Sequence, residues 1–207
     1  MRWTGQSGFV IKAGKTTMVI DPFKISGAVK ADLLLITHPH FDHFNKDDIS
    51  KVVGNKTKII CSRGCDGIEA FGSPVIAKPG FSTVFEGIKI SAVPAYNVNK
   101  DRLQFHPVAN EWVGYVIEHG GMRIYHAGDT DFIEEMRSLK NLDLALLPMG
   151  GTYTMGLDEG IEAAKSIDAK HVAPIHYRML LGEEKSKELE KRFSHSVKNS
   201  LILSEQN

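Results

Sequence analysis

The chain has 207 residues, enough for one domain with a core of ordinary size. Its 25 Lys and Arg balance 25 Asp and Glu, so it lacks the basic excess that holds nucleic acid by bulk electrostatics. A hydrophobic share of 42% excludes an acidic disordered chain, and 19 glycines with 8 prolines point to turns and strand ends instead of a helical bundle.

In chain order, Met1 to Gly8 contains no apolar h-region, and no later run reaches the ~18–20 apolar residues that span a bilayer. A cytoplasmic protein without membrane contact is expected. Segments 8–12 and 16–20 flank Ala13-Gly14-Lys15 and predict a hairpin, stopped by Asp21-Pro22. Segment 31–37 is a continuous apolar run, the pattern of a strand buried on both faces, and it empties into His38-Pro39-His40-Phe41-Asp42-His43. Residues 47–53 predict a short helix with acids in its first turn. Segments 58–61 and 74–77 read as strands. Cys61 and Cys65 are too few for a disulfide scaffold and are not spaced as a zinc finger, so they read as ordinary thiols in a reducing compartment.

Segments 82–86 and 88–94 predict a second hairpin. The stretch 95–110 is a long polar loop, a length that in compact domains usually serves function. A third hairpin is expected from 112–117 and 122–125. The rhythm then changes: a helix over 130–139, a buried strand over 142–148, an amphipathic helix over 157–167, a strand over 171–175, a charged helix over 183–193 and a last strand over 201–203. Hairpins followed by strand–helix alternation predict an α/β fold, a four-layer α/β/β/α sandwich of two mixed β-sheets with helices on the outer faces. No linker or repeat interrupts 1–207, which reads as a single domain.

The strongest chemical signal is His38-x-His40-x-Asp42-His43, which places three imidazoles and a carboxylate within six residues at a strand end. In extended chain, side chains alternate with period two, so His38 and His40 can converge on one cation. Asp42 and His43, in the following turn, can reach a second. Two metals ~3.5–4 Å apart can share a hydroxide nucleophile and polarise the bond under attack. Nitrogen and carboxylate donors suit zinc, and also manganese or iron.

This segment closely resembles the first metal-binding motif of the metallo-β-lactamase fold superfamily. His126-Ala127-Gly128-Asp129-Thr130, between a strand and a predicted helix, is similar to that family's glycine-aspartate-threonine motif, and Asp21-Pro22 also fits its pattern. The resemblance covers essentially the whole chain and implies the same sandwich. It further implies that Asp129 bridges two divalent metals, most readily zinc, and that His176 is the last histidine ligand. Read alone, Asp129 could instead cap helix 130–139, and His176 could be a core histidine. His126 is expected beside the ligands and not among them. His119 is expected in solvent at a hairpin turn, and His171 and His195 have no motif around them.

The family usually carries a further histidine after the strand that ends here at Pro94. This chain has Pro94-Ala95-Tyr96-Asn97 at that place, so either His106 or the Asn97 amide oxygen completes the first site. His106 is favoured, because a neutral amide oxygen is the poorer zinc ligand.

The implied activity is metal-dependent hydrolysis, with Asp42 and Asp129 as the catalytic carboxylates. The substrate expected is a small, anionic ester, lactone or phosphodiester. Tyr96, Arg102 and Lys100 form a cationic, aromatic lip in the 95–110 loop, with Asn97 beside them and Tyr153 approaching from another side. Within the superfamily the chain resembles short cytoplasmic hydrolases of the ascorbate-phosphate lactonase type. The alternatives are a thioesterase of the glyoxalase type and a non-catalytic metal sensor on the same fold. A homo-oligomer is compatible with everything read here.

Overall fold

The computed structural model of the protein describes residues 1–27 and 29–206. One sheet is built in chain order from β1 (Arg2–Gly5), β2 (Gly8–Ala13), β3 (Thr16–Ile20), β4 (Leu33–Ile36), β5 (Lys58–Cys61) and β6 (Pro74–Ile76). It is antiparallel from β1 to β3 and parallel from β3 to β6. The second sheet runs in order from β7 (Ser82–Phe85) through β8 (Ile88–Pro94), β9 (Val113–His119), β10 (Met122–His126) and β11 (Leu142–Pro148) to β12 (Ala169–Ile175). It is antiparallel as far as β10 and parallel beyond.

The period-two alternation of the strands divides their side chains between two layers. Phe9, Ile11, Met18, Ile20, Leu33, Leu35 and Ile60 enter one core with Ile88, Ile90, Tyr115 and Ile117 of the facing sheet. Their neighbours Val10, Val19, Leu34, Ile36 and Ile59 point the other way and pack with Ile49 and Val52 of α1 (Lys46–Val52). Asn45 caps that helix, its side chain accepting from the Asp48 amide at 3.0 Å. On the second sheet every residue of β11 is buried, as a parallel strand covered on both faces must be. Its cover comes from α2 (Leu157–Ser166), and α3 (Arg178–Ser196) packs alongside through Leu189 and Phe193. These layers form the expected α/β/β/α sandwich. Within the core the buried Tyr115 hydroxyl donates to the Ile36 carbonyl at 2.9 Å, which joins the two sheets two residues before the histidine motif.

Three elements depart from the sequence reading. Residues 2–5 form an edge strand. The helix expected over 130–139 reduces to a 3-10 turn at Glu134–Ser138. The Asp131 amide donates to the Tyr96 carbonyl at 3.0 Å, and the Asp131 carboxylate accepts from the Val98 and Asn99 amides at 2.8 and 2.9 Å. These bonds hold 130–132 against the 95–110 loop, and Asp129 therefore caps no helix. The last strand also fails to form. Residues 201–203 run between isolated bridges of Ser200 with Val172 and Glu205 with Trp3, so the C-terminal segment spans both sheets instead of extending one. Gly182 (φ 74) breaks α3 after its first turn, and the charged helix follows from there. Among the described residues, no helix is long and apolar enough to cross a membrane.

Candidate metal centre

The motif residues gather at the C-terminal ends of strands, where ligands collect in open α/β sheets. His38 to His43 follow β4, Asp129 follows β10 and His176 follows β12, while His106 arrives on the loop after β8. The donors form two separate groups, linked by a third made of His38, His43 and Asp129. His38, His40 and His106 offer nitrogens within 4.8 Å of one another, and so do the donor atoms of Asp42, His43 and His176. Asp129 lies between them. Its Oδ2 is 3.4 Å from His106 Nε2, 3.2 Å from His176 Nε2 and 3.9 Å from His38 Nε2, and its Oδ1 is 3.4 Å from His43 Nε2. In the other group, Asp42 Oδ2 is 3.1 Å from His176 Nε2 and accepts from Gln6 Nε2 at 2.9 Å.

Three histidines are fixed by what their Nδ1 atoms meet. Asp21 is fully buried and accepts three hydrogen bonds: Thr37 N donates to Oδ1 at 2.8 Å, while Thr37 Oγ1 and His43 Nδ1 donate to Oδ2 at 2.7 Å. With its proton on Asp21, Thr37 Oγ1 accepts from His38 Nδ1 at 3.0 Å. Asn97 donates through Nδ2 to Asp131 Oδ1 and the Tyr153 carbonyl at 3.0 and 3.1 Å, so its Oδ1 faces His106 Nδ1 at 2.9 Å and accepts that proton. In their neutral forms His38, His43 and His106 thus turn bare Nε2 atoms toward Asp129. An acceptor that sets the tautomer of a histidine in this way is the usual support of a metal ligand.

The 95–110 loop reaches this geometry through a buried ion pair. Arg102 Nη2 lies 2.9 Å from Asp131 Oδ1 and 2.5 Å from Glu159 Oε2, and Asp131 in turn orients Asn97. Close backbone approach does the rest. A Cβ on Gly114 of β9 would stand 2.6 Å from the His126 carbonyl and 2.5 Å from that of Ala127, and one on Gly150 would stand 2.6 Å from the His176 carbonyl.

Burial pushes the His38 imidazole well below its ordinary value, and His43 beside it adds to the effect. Burial alone would raise Asp129, but the imidazoles of His176 and His43 hold it well below the usual carboxylate range. His43 moves up, since the carboxylates of Asp129, Asp21 and Asp42 outweigh its burial. Asp42 moves down, because His43 and His176 outweigh its burial.

Do these residues fit a metal? His43 Nε2, His106 Nε2 and Asp129 Oδ1 are buried without a hydrogen-bond partner and face one another across the centre. Burying such atoms unpaired is expensive, and a divalent cation satisfies lone pairs on nitrogen and carboxylate oxygen together. The donor set fits.

Of the other residues singled out in the sequence, Asn97 and Tyr153 lie at the centre's edge, Asn97 as the partner of His106. Arg102 is taken up by Asp131 and Glu159, and the Tyr96 hydroxyl donates to Glu135 at 3.0 Å. Neither lines the cavity beside the donors, and no Lys or Arg is among its described lining residues. His126 is buried outside the donor groups, with Nε2 2.8 Å from the Ser7 carbonyl. His119 ends β9 with Nδ1 3.3 Å from the Gly87 carbonyl, and His171 and His195 are exposed. Cys61 and Cys65 are free and buried.

Sequence reasoning missed Trp112, whose ring lies 5.2 Å from His38, 5.1 Å from His40 and 5.7 Å from His106 and walls the first donor group. It also missed Thr37 and Gln6. Thr37 carries a readable signal, as the polar residue that ends an apolar strand directly before the motif; Gln6 carries none.

The sandwich and its strand-end donors define a metal-dependent hydrolase of the metallo-β-lactamase superfamily. The chain belongs to the family described as the beta-lactamase superfamily domain, whose model matches residues 1–176. It is 36% identical over 190 residues to a UPF0173 metal-dependent hydrolase of Thermus thermophilus, covering 86% of this chain and 83% of that one. A crystal structure from Parabacteroides distasonis, described as a metal-dependent hydrolase, superposes with a TM-score of 0.85 at 30% identity, over 99% of this chain and 92% of that one. A metallo hydrolase from Ignicoccus hospitalis shares the fold at 22% identity, with a TM-score of 0.77 over 100% of this chain and 95% of that one.

Proposed function

We propose that the chain hydrolyses a small ester, lactone or phosphodiester at a dinuclear site. The observation that carries this reading is the pair of donor groups with Asp129 between them. His38, His40 and His106 would hold one divalent ion, Asp42, His43 and His176 the other, and the Asp129 carboxylate would face both. Zinc suits the set best, with manganese or iron as the alternatives. When bound, divalent metals lower the pKa of water toward ~7 and polarise the bond under attack.

The protein's own groups supply orientation. Asp21, Thr37 and Asn97 keep the imidazole lone pairs aimed inward, so little reorganisation is needed on metal uptake. Asp42 lines the cavity as an ionised carboxylate, placed to orient attacking water beside the ion it would help hold. Trp112 covers His38, His40 and His106 on one flank and limits water there. The anionic preference expected of the substrate loses its support with Arg102, whose charge is already paired inside the protein.

Metal analysis of protein purified without chelator, followed by a panel of phosphodiesters, lactones and thioesters, tests the reading. Two equivalents of metal and turnover are expected, with Asp129→Asn losing both. Two metals and full activity in Asp129→Asn would refute the dinuclear assignment.

A further inference from the structure

Beside the donors lies a cavity of about 320 Å³, within the size range of small-molecule pockets. One end is polar, lined by His40, Asp42, Asp129 and His176. The rest is apolar and is assembled from four separate segments: Phe41 after β4, Phe105 in the 95–110 loop, Tyr153 after β11, and Met179 with Leu180 in the first turn of α3. Phe105 and Tyr153 meet edge to face, with centroids 4.8 Å apart. Phe41 stands edge-on to Phe23 at 5.9 Å yet remains 68% exposed, and Met179 is 41% exposed. Apolar side chains left open in a concavity favour any ligand surface that displaces water from them.

Charge is arranged to match. No Lys or Arg is among the described residues that line this cavity. Arg102 is held by Asp131 and Glu159. Lys24, whose Nζ is 3.5 Å from Met179 Sδ, lines a neighbouring cavity with Gln6, Arg178 and Glu205. A carboxylate or phosphate at the apolar end would therefore lose hydration with no cation among the lining residues to replace it.

We propose that this cavity is an acyl or aryl pocket. The substrate is an uncharged ester, lactone or thioester. Its carbonyl lies at the donor end and its apolar group on Phe41, Phe105, Tyr153, Met179 and Leu180, and water cleaves the acyl bond to give an acid and an alcohol or thiol. This inference rests on the hydrolase reading above, and two measurements separate them.

The first uses ligands that cannot be hydrolysed. The Met179 methyl resonance, assigned with Met179→Leu, is followed in the chain as purified during titration with methyl ketones from butanone to octanone. Binding is expected to tighten about fourfold per methylene, the factor that corresponds to burying one CH₂. A flat series, or a Met179 shift that follows protein concentration instead of ligand, would overturn the pocket; the latter would assign the patch to a second copy of the chain.

The second uses the metal-loaded chain. For p-nitrophenyl esters, kcat/KM should rise by a similar factor per methylene from acetyl to hexanoyl, and hexanoyl should exceed the charged succinyl ester by at least about tenfold. Tyr153→Ala and Phe105→Ala should each flatten the series without lowering metal content. Turnover that favours succinyl would overturn the pocket and leave the hydrolase reading intact. No turnover of any substrate together with a graded Met179 response would do the reverse.

Discussion

Asp21→Asn isolates the part the protein plays in preparing its own metal donors. Asp21 has φ 44, a left-handed backbone that Asn adopts as readily as Asp, so the exchange leaves the main chain undisturbed. All three groups facing the carboxylate are donors: Thr37 N, Thr37 Oγ1 and His43 Nδ1. An amide must turn its NH₂ toward some of them. Facing Thr37 N, it would bury two opposed donors at a cost of about 1–3 kcal/mol, since a backbone N–H cannot change role. Facing Thr37 Oγ1 and His43 Nδ1 is cheaper, because a hydroxyl can rotate and an imidazole can move its proton. That choice puts the His43 proton on Nε2, 3.4 Å from Asp129, where the lone pair is needed for a metal. Loss of such a supporting partner typically lowers metal affinity about 10–100-fold, equivalent to about 1.4–2.7 kcal/mol. Competition for zinc against a chelator of known affinity reads this directly, and thermal unfolding of the metal-free forms checks that the fold survives. Metal affinity within about twofold of wild type, in a variant of unchanged midpoint, would refute the tautomer argument.

Three further outcomes follow from the same geometry. His106→Ala should cost more metal occupancy than Asn97→Ala, since the first removes a donor and the second only its partner; metal analysis of the two variants side by side decides. Arg102→Ala strands the buried Asp131, which should destabilise the chain by about 3–5 kcal/mol in urea unfolding and loosen His106 through Asn97. His126 bears on pH. Burial holds it below its ordinary value, while the unfolded chain protonates it near about pH 6.5. Its contribution to stability is therefore complete above pH 6.5 and is lost as pH falls through that value toward the folded one. The metal-free His126→Gln variant should lose less stability than wild type between about pH 7.5 and 5.5, and an equal loss would contradict the assignment.

The sandwich and the first motif were legible because both are local. Period-two alternation in 8–20 and 82–94 sets which side chains face the core, and His38, His40, Asp42 and His43 are neighbours in sequence. Asp129 and His176 were readable from strand-end position and resemblance together. What escaped was decided by contacts across the fold. The 130–139 stretch has helical composition, but Asp131 satisfies the amides of Val98 and Asn99 and so holds the chain extended. Arg102 reads as a free cation in a polar loop until Asp131 and Glu159 arrive from 29 and 57 residues away, separations that periodicity cannot report. Residues 201–203 are apolar like a buried strand, yet only the flanking Ser200 and Glu205 form isolated bridges.

The donors are divided between the sheets. His38, His40, Asp42 and His43 extend from β4 of the first, whereas Asp129 and His176 extend from β10 and β12 of the second. Any ion held by Asp42, His43 and His176 closes a loop of more than a hundred residues and fastens the open end of the sandwich like a clasp. Metal occupancy and mechanical integrity then become one quantity, because an ion bound only by the folded chain adds its binding free energy to folding. Stripping the metal would unfasten the two sheets first along this rim, and amide exchange in 37–44 and 126–131 would quicken before that in the opposite hairpin ends.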